Sequence, residues 1–541
     1  MKQVKGQMMQ MPMLVSELIA HAARYFSDVE IVSSRPDQEE VHRYTWLDCE
    51  VRARRLAHAL AGIGVEQGER VGTLAFNSYR HLELYYAISG SGSVCHTVNP
   101  RLPLEQMAYV ISHAQDGVVF FDVELFEHVV KLAPLCQGVR AWVCMADEAS
   151  VPVGSGLPLL CYETLLASGS DAYEWPQLDE NAGSCLCYTS GTTGIPKGVM
   201  YSHRSTVLHA MSISLPDVFN CSASEIILPV VPMFHANAWG LIYAAALVGA
   251  KLVLPGSRLD GFSLHKLIVS EGVTFAAGVP TVWLGILDYV NEQRLGLANL
   301  QRLLVGGSAM APSLFEAFGA LGVEVVHAWG MTELSPVGVA ATLLPKHALL
   351  SREEQLRVLA KQGRPPFGID VRIVDSEGRT LPHDGAACGE LQVRGRWVAA
   401  SYFDVDESPL QEGWFPTGDM GTIDSDGYVD LTDRKKDLIK SGGEWISSIT
   451  VERAAAEHPG VEVAACVACV HPKWVERPLL VVKLREGSDV RASELRAFLG
   501  ARLTSWWVPD DVVFVDQVPV GATGKVDKRA LRERFADFLS R

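Results

Sequence analysis

The sequence predicts an α/β protein with a large N-terminal domain, made of two α/β subdomains plus a small β subdomain, and a small α+β C-terminal domain. Apolar runs typical of strands alternate with helix-like stretches from about residue 70 to residue 310, which favours parallel sheets. From about residue 369 the pattern changes to short strands separated by turn residues. A compact run of about 105 residues follows the charged stretch 433–437.

The elements follow in chain order. "RVGTLAFN" predicts a strand, "HLELYYAISG" a helix and "VCHTVN" the next strand, and the alternation returns in "VVFFDVELFEHVVKLA", "KLVLP" with "GFSLHKLIVSEG", and "VTFAAGVP" with "LQRLLVGGSAM". "IDVRIVDSEGRTL", "GELQVRG" and "GYVDLTDR" predict the β subdomain, and "EVAACVACV" and "PLLVVKL" the C-terminal strands. We therefore predict an N-terminal domain over 1–433 and a C-terminal domain over 438–541.

Length and composition limit the class of protein. With 541 residues, 48% of them apolar and 20% charged, the chain fits a globular protein of more than one domain. Its net charge of −16 leaves no electrostatic footprint for nucleic acid or for an anionic membrane. The N-terminus lacks the apolar core of a signal peptide, and no apolar run is long enough to span a bilayer. We expect a cytoplasmic protein with no nucleic-acid partner and no transmembrane segment.

The eleven cysteines show no disulfide spacing, which fits a reducing compartment. Cys466 and Cys469 have redox-motif spacing, but they lie in a strand-like run, where residues three apart point to opposite faces. Cys185 and Cys187 share one strand face, without the second ligand pair that a metal site needs. We predict buried strand thiols in both places.

Residues 188–199, "YTSGTTGIPKGV", follow a strand-like run and combine glycines, hydroxyl side chains and one lysine. Successive glycines let backbone N–H groups point into one concavity, which suits anionic oxygens. The spacing does not match a Walker loop, and a flexible hydroxyl-rich turn explains any short piece of it equally well. The candidate phosphate ligands are Thr189, Ser190, Gly191, Thr192, Thr193, Gly194 and Lys197.

Six further segments follow in order: "PMFHANAWG" (232–240), "VGGSAM" (305–310), "HAWGMTEL" (327–334), "GWFPTGDMG" (413–421), "DRKKDLIKSGGEWIS" (433–447) and "PVGATGKVDKRALR" (519–532). Together with 188–199 they resemble the motifs of the adenylate-forming superfamily, which includes acyl-CoA synthetases, luciferases and peptide-synthetase adenylation domains. The resemblance extends over nearly the whole chain. It is closest to medium- and long-chain fatty acyl-CoA synthetases and to their relatives that act on methylthiopropionate.

The resemblance implies an ATP-dependent carboxylic acid–CoA ligase that forms an acyl-adenylate and releases AMP and pyrophosphate. A carboxylate is a poor electrophile, because attack on it adds charge to charge, and attachment of AMP gives its carbonyl a good leaving group. The transition state gathers negative charge on the α-phosphoryl oxygens, so fixed cations and N–H donors there should dominate catalysis. The implied partners are ATP, Mg²⁺, CoA and a small carboxylate substrate.

Residue by residue, the resemblance assigns the catalytic lysine to Lys525, the Mg²⁺-binding carboxylate to Glu333 and an α-phosphate contact to Thr332. It places His235 beside the substrate carboxylate; by itself, a histidine among apolar residues is more often a core group. One departure is Gly521, where the family usually carries threonine, and this exchange could loosen the loop that presents Lys525.

The remaining matched positions fall into five groups. The ribose contacts are Asp419 and Arg434, and the segments around adenine and the acyl group contain Gly306, Gly307, Ser308, Ala309, Ala328, Trp329 and Gly330. The acyl slot is expected between His235, Trp239, Gly306, Gly307 and Trp329. The resemblance also implies a mobile C-terminal domain that turns about a hinge at 434–437, centred on Lys436. This turn brings in the pantetheine path at Lys440, Gly442, Gly443, Glu444 and Trp445.

The acid itself is left open. "FHANAWG" contains no carboxylate that could bind an α-amino group, which favours an aliphatic or aryl acid with an uncharged tail. Two alternatives stay open: an acyl-AMP ligase that loads a carrier protein (or an oxidative, luciferase-like enzyme), and a non-catalytic acyl- or nucleotide-binding relative. The resemblance further implies a homodimer.

Overall fold

The computed structural model describes residues 6–35, 41–154, 156–189, 195–308, 310, 312–442, 444–521 and 525–540. The chain forms two compact units. Unit 1 contains Met1–Ser214, Cys221–Ser257 and Ser401–Asp406, and unit 2 contains Leu215–Asn220, Arg258–Ala400 and Glu407–Arg541.

Unit 1 has α/β architecture. Its strands are β1 (Glu30–Ser33), β2 (His42–Thr45), β3 (Arg70–Leu74), β4 (Val94–Thr97), β5 (Val118–Asp122), β6 (Ala141–Met145), β7 (Leu159–Cys161), β8 (Gly183–Thr189), β9 (Lys197–Ser202), β10 (Ile226–Pro229) and β11 (Lys251–Leu254). Its helices are α1 (Val15–Tyr25), α2 (Trp46–Gly62), α3 (Tyr79–Gly90), α4 (Leu104–Ala114), α5 (Phe126–Leu132), α6 (Tyr162–Ala167), α7 (His203–Ile213), the short turn α8 (Ala236–Trp239) and α9 (Leu241–Val248).

One sheet of unit 1 has seven strands in the order β7-β6-β5-β3-β4-β8-β9. All neighbours in it are parallel except β8 and β9, which form an antiparallel pair at the edge. The strands β10, β11 and β1 run parallel to each other, and β2 closes that set in the antiparallel direction. Helix α3 is buried along its whole length, as expected for a helix covered on all sides. This parallel arrangement confirms the predicted fold class.

Unit 2 contains three sets of strands. They are β12 (Phe275–Gly278), β13 (Arg302–Val305), β14 (Glu324–Gly330), β15 (Val337–Ala340), β16 (Ile369–Val374), β17 (Gly389–Gly395), β18 (Phe415–Ile423), β19 (Val429–Arg434), β20 (Ile439–Ser441), β21 (Glu444–Ile446), β22 (Val461–His471), β23 (Val475–Leu484) and β24 (Asp511–Phe514). Its helices are α10 (Gly261–Glu271), α11 (Pro280–Gln293), α12 (Pro312–Ala320), α13 (Arg352–Leu359), α14 (Ser448–Ala456), α15 (Ala492–Gly500) and α16 (Lys528–Phe535).

These sets match the predicted change of pattern along the chain. The strands β12, β13 and β14 are parallel, and β15 pairs with β14 in the antiparallel direction. The predicted β subdomain is the antiparallel sheet β16-β17-β18-β19. The C-terminal strands form the order β21-β20-β23-β22, with β24 added in parallel to β23. Helix α14 begins after Ser447, whose hydroxyl accepts the N–H of Thr450 and caps the helix.

The cysteine predictions are confirmed. Cys466 and Cys469 are both buried on β22, and they pack into two separate clusters on opposite faces of the strand. Cys185 and Cys187 are buried side by side on β8, with their sulfur atoms 3.9 Å apart. All eleven cysteines are free thiols.

Candidate functional site

The centre of the candidate site in unit 2 is Asp419 on β18, which side chains from β14 and β19 hold. The indole N–H of Trp329, at the end of β14, donates to Asp419 Oδ2 over 2.8 Å. Arg434, the cross-strand partner of Asp419 in the β18–β19 pair, brings its Nε to 3.3 Å from Oδ1. Burial raises the pKa of Asp419, and Arg434 and the indole N–H oppose that rise. The carboxyl is thus oriented by two donors, as a group that binds ribose hydroxyls needs to be.

Lys525 lies next to this cluster. A Cβ at Gly307 would be 3.2 Å from Lys525 Cε and 3.9 Å from its Nζ, so the glycine makes room for the lysine stem. Burial and then repulsion from Arg434 lower the pKa of Lys525 to about 8, against the attraction of Asp419. The structure therefore brings together five of the predicted residues: Lys525, Gly307, Asp419, Arg434 and Trp329.

The lysine loop is closed by backbone hydrogen bonds. The N–H of Gly521 donates to the carbonyl of Lys525 over 2.7 Å, and the N–H of Asp527 donates to the carbonyl of Pro519 over 2.8 Å. Among the described residues, a Cβ at Gly521 would meet the Lys525 carbonyl alone, at an ordinary 3.6 Å. The glycine in place of threonine thus leaves the closing bond of the loop intact.

Thr332 and Glu333 lie in a buried 3-10 turn directly after β14. The turn is held at both ends: the carbonyl of Glu333 accepts the N–H of Ala399 over 2.8 Å, and the N–H of Met331 donates to the carbonyl of Pro336 over 3.0 Å. A Cβ at Gly330 would lie 2.0 Å from that same Pro336 oxygen, so only glycine fits there.

The other predicted adenine-side residues lie at the ends of neighbouring parallel strands. Gly306 and Gly307 follow β13, and Ala328 and Trp329 are the buried end of β14, which is the next strand of the sheet. Gly306 is buried, whereas Gly307 and Ser308 are exposed. The predicted Ala309 lies outside the described residues. Because carboxyl ends of adjacent parallel strands form ligand-binding edges, this placement suits the predicted role.

In unit 1, the predicted phosphate ligands flank the tip of the β8–β9 hairpin. Thr189 and Lys197 face each other as its last described pair. The Lys197 ammonium lies 4.7 Å from the centre of the Tyr402 ring, a cation–π contact that the sequence did not reveal. The predicted Ser190, Gly191, Thr192, Thr193 and Gly194 lie outside the described residues.

His235 and Trp239 bracket an unusual turn in unit 1. Ala236, Asn237, Ala238 and Trp239 all have positive φ, between 45° and 56°, which disfavours non-glycine residues by about 1–2 kcal/mol each. Asn237 anchors the turn, because its Oδ1 accepts hydrogen bonds from the thiols of Cys185 (3.2 Å) and Cys187 (3.3 Å). The Tyr85 hydroxyl, which donates to the carbonyl of Met233, lies 3.3 Å from the same oxygen. His235 is half-buried before the turn, and Trp239 is buried at its end.

The predicted pantetheine residues lie on the β20–β21 hairpin of unit 2. Lys440 faces Trp445, with its ammonium 5.7 Å from the indole ring, and Glu444 is exposed beside Trp445. Gly442 has a φ of 59°, and a Cβ there would lie 2.9 Å from the ring of Trp474. The predicted Gly443 lies outside the described residues. Close packing against an indole therefore explains a glycine at 442.

The predicted hinge residue Lys436 lies among charges of both signs. Burial lowers the pKa of Lys436; Arg434 and Arg532 add to the effect, and Asp437 opposes it. The guanidinium of Arg532, on α16, forms an ion pair with Asp437. The short charged stretch is therefore tied to the helix that follows Lys525.

Comparisons with known proteins identify the family. Residues 19–403 match the family model described as AMP-binding enzyme, and residues 450–525 match the model of the AMP-binding enzyme C-terminal domain. The chain belongs to this family of AMP-binding enzymes, which confirms the adenylate-forming superfamily predicted from the seven motifs.

Several curated relatives are similar over nearly their full length. The 3-methylmercaptopropionyl-CoA ligase of Ruegeria lacuscaerulensis is 50% identical over 99% of both chains. The medium-chain-fatty-acid–CoA ligase of Ectopseudomonas oleovorans is 49% identical over 99% of this chain and 98% of its own. The long-chain-fatty-acid–CoA ligase of Thermus thermophilus is 46% identical over 96% of this chain and 95% of its own.

A solved structure shares the fold. The crystal structure of the anthranilate CoA ligase AuaEII in complex with anthranoyl-AMP matches with a TM-score of 0.87 and 22% identity, over 99% of this chain and 100% of that one. Along the part of the chain that the structure describes, no helix is both long and apolar enough to cross a membrane.

Proposed function

We propose that the protein converts a carboxylic acid with an apolar tail, ATP and CoA into the acyl-CoA, AMP and pyrophosphate. The sequence predicts an AMP-forming acid–CoA ligase. Relatives that are 46% to 50% identical over nearly their full length are CoA ligases, which confirms this class. The acid, the roles of individual residues and the movement of the C-terminal domain are our proposals.

The observation that carries the proposal is the cluster of Lys525 with Asp419, Trp329 and Arg434. It combines a cation whose charge is only partly offset with a carboxyl oriented by two donors. Asp419 and Arg434 hold the ribose in our assignment, and Lys525 reaches the α-phosphate. If these residues formed only a structural ion-pair network, nothing would require a glycine at position 307 to leave space for the Lys525 side chain.

In the first half-reaction, a carboxylate oxygen of the acid attacks the α-phosphorus of ATP, and the bond to the bridging oxygen of pyrophosphate breaks. The Lys525 ammonium offsets the charge that develops on the α-phosphoryl oxygens. Thr332 donates its hydroxyl to the α-phosphate, and Lys197 and the hydroxyls near it hold the β- and γ-phosphates. His235 orients the acid carboxylate.

Mg²⁺ fits the donors of this site as a partner of the phosphates. Among the described residues, no group of three or more histidine, cysteine, aspartate or glutamate side chains could enclose a metal. Mg²⁺ is usually held by one or two carboxylates together with substrate phosphates and water, and the buried carboxylate of Glu333 can supply that ligand. When bound, the ion neutralises phosphate charge.

In the second half-reaction, the CoA thiol attacks the acyl carbonyl and AMP leaves. Lys525 is no longer needed, because no phosphoryl group is transferred. We assign the hinge to 434–437, between an N-terminal domain over 1–433 and a C-terminal domain over 438–541 that turns about Lys436. Lys440, Gly442, Glu444 and Trp445 then accept the pantetheine arm. Such a turn is a gating step that limits many enzymes.

For the acid, we propose a medium- or long-chain fatty acid or a related small apolar acid, with 3-methylthiopropionate as one candidate. The relatives named above differ in the acid that their names give, so identity alone does not select it. The segment from His235 to Gly240 contains no carboxylate for an amino group, and every residue in it after His235 is buried. This favours an uncharged tail. We also propose a cytoplasmic homodimer.

The test follows pyrophosphate and AMP release across carboxylates from propionate to palmitate, with 3-methylthiopropionate and aryl acids, each with and without CoA. Lys525→Ala should abolish pyrophosphate release while leaving the thioester step from added acyl-adenylate active. Lys346→Ala is the matched control, because Lys346 is exposed and its ammonium forms a surface ion pair with Asp426.

Acyl-CoA formed only when CoA is present supports the proposal and names the acid. Adenylate that accumulates and ignores CoA favours an acyl-AMP ligase that loads a carrier protein. An absence of turnover with every acid favours a non-catalytic binding protein.

A further inference from the structure

A cluster of four residues in unit 1 lies near the tip of the β8–β9 hairpin, and none of them has a role in the reaction described above. We call it the hairpin clamp; it consists of Tyr188, His113, Gly198 and Phe403. Tyr188 and Gly198 face each other across the hairpin, one step before its last described pair. In the part of the chain that the structure describes, β9 is the edge strand of its sheet and pairs with β8 alone. The direction of the hairpin therefore depends on contacts near its tip.

Tyr188 is tied to the helix beside it. Its hydroxyl and Nδ1 of His113, in the last turn of α4, are 2.7 Å apart, and the two rings meet edge to face at 5.8 Å. Burial raises the pKa of Tyr188 well above its usual range, so the phenol keeps its proton. One hydrogen bond between the phenol and the imidazole thus links β8 to α4.

Phe403 holds the other strand. Its N–H donates to the carbonyl of Gly198 over 2.8 Å, and its ring lies 5.7 Å from the ring of His113. A Cβ at Gly198 would be 3.0 Å from Phe403 Cβ and 3.3 Å from Tyr188 Cζ, so the glycine lets both rings close on the strand. His113 therefore contacts the groups that hold both strands.

Tyr402, the residue next to Phe403, contacts Lys197, whose charge is expected at the phosphates. Tyr402 lies under the Lys197 ammonium, at 4.7 Å from ring centre to Nζ. The segment Ser401–Asp406 thus holds both the backbone of β9 and its lysine, and it belongs to unit 1 although the chain on either side belongs to unit 2.

We propose that the Tyr188–His113 hydrogen bond, supported by Phe403, positions the β8–β9 hairpin for ATP, and that these are positioning residues for the β- and γ-phosphates. The inference rests on the proposed function in one respect, namely that this hairpin binds those phosphates. Groups that are already fixed before the ligand arrives lose less entropy on binding, so the clamp should appear in ATP affinity.

The experiment compares Tyr188→Phe, His113→Ala, their double variant and His113→Asn, which keeps a polar atom near the position of Nδ1. The control is Tyr109→Phe, which removes a phenol hydroxyl from the same helix one turn before His113. Three readouts are collected: the Kd of ATP by calorimetry without acid, the KM values of ATP and acid with kcat in ATP–pyrophosphate exchange, and Tm.

We expect Tyr188→Phe and His113→Ala each to raise the Kd and KM of ATP by roughly three- to tenfold, the range for one neutral hydrogen bond, with the KM of the acid unchanged. The Kd of ATP for the double variant should not exceed that of the single variant with the higher Kd, because the two substitutions remove the same bond. His113→Asn should recover part of the loss, and Tyr109→Phe should behave as the unaltered protein.

A fall in Tm with unchanged ATP affinity, or additive losses in the double variant, would refute the positioning role. If the unaltered protein binds ATP but forms no acyl-CoA, the proposed reaction is wrong. The Kd values of ATP for the variants then decide on the clamp by themselves. An unaltered protein that does not bind ATP would overturn both.

Discussion

Raising the pH should remove the charge of Lys525 and, with it, the adenylation rate. Burial, followed by repulsion from Arg434, brings the pKa of Lys525 down from the ordinary 10.5 to about 8. Only the ammonium form can offset charge on the transferring phosphoryl group. For a single group with that pKa, roughly nine-tenths of the free enzyme is competent at pH 7 and roughly one-tenth at pH 9.

The assay is ATP–pyrophosphate exchange from pH 6.5 to 10 with saturating acid, analysed as kcat/KM for ATP, which reports ionisations of the nucleotide-free enzyme. The thioester step, started from acyl-adenylate and CoA, is the internal control. It should keep its rate above pH 8, because it does not use Lys525.

Two variants test the physical cause. Arg434→Gln removes the neighbouring positive charge and should move the midpoint up, whereas Asp419→Asn removes the attracting carboxyl and should move it down. Both variants weaken ATP binding in our assignment, so the position of the midpoint is compared and not the height of the profile. A profile that stays flat to pH 10, or a midpoint that falls in Arg434→Gln, would refute the reasoning.

The lowered pKa of Lys525 also makes the free energy of unfolding depend on pH. The pKa of Lys525 is lower in the folded protein than in the unfolded chain, so between about pH 8 and 10.5 the unfolded chain binds more protons. This residue therefore makes the free energy of unfolding rise with pH across that window. Lys525→Met should lose that rise, as measured by urea unfolding at several pH values.

Three further outcomes follow from single contacts. Gly330→Ala should lower both Tm and ATP–pyrophosphate exchange, because its Cβ would lie 2.0 Å from a backbone oxygen, whereas Gly296→Ala, with nothing within 4 Å, should change neither. Trp329→Phe removes a hydrogen bond to Asp419 worth about 1.5–3 kcal/mol; the KM of ATP should rise roughly tenfold or more, with larger losses at acidic pH because the pKa of the carboxyl rises further. A thiol reagent should modify Cys388 first in the native protein, since it is the one cysteine that is exposed; fast reaction of several thiols would contradict the described burial.

The sequence predicted features that depend on local patterns. Alternating apolar runs indicated the strands of both parallel sets, and the change of pattern near residue 369 indicated the antiparallel sheet that starts at β16. The opposite faces of Cys466 and Cys469 follow from the two-residue period of a strand. The candidate charged residues could also be named, because their motifs are contiguous.

The partners of these residues could not be predicted, because they depend on which distant strands meet. Trp329 and Asp419 are 90 positions apart, and nothing local marks the indole as the donor to that carboxylate. Asn237 is 50 positions from Cys187, and no short pattern indicates that its side chain holds a turn of residues with positive φ. The lowered pKa of Lys525 likewise arises from burial and from Arg434, which only the fold brings near it.

In our assignment, the attachment of Lys525 separates two functions within one cluster. Asp419 is held by Trp329 from β14 and by Arg434 from β19, and neither contact involves the lysine. Lys525 stands on a loop that closes on itself through Gly521, and its stem rests on a glycine. Withdrawal of the loop would therefore remove the cation and leave the carboxyl with both donors. A two-step ligase requires this order, because AMP must stay bound until the thiol attacks, whereas the charge that assisted phosphoryl transfer has no further role.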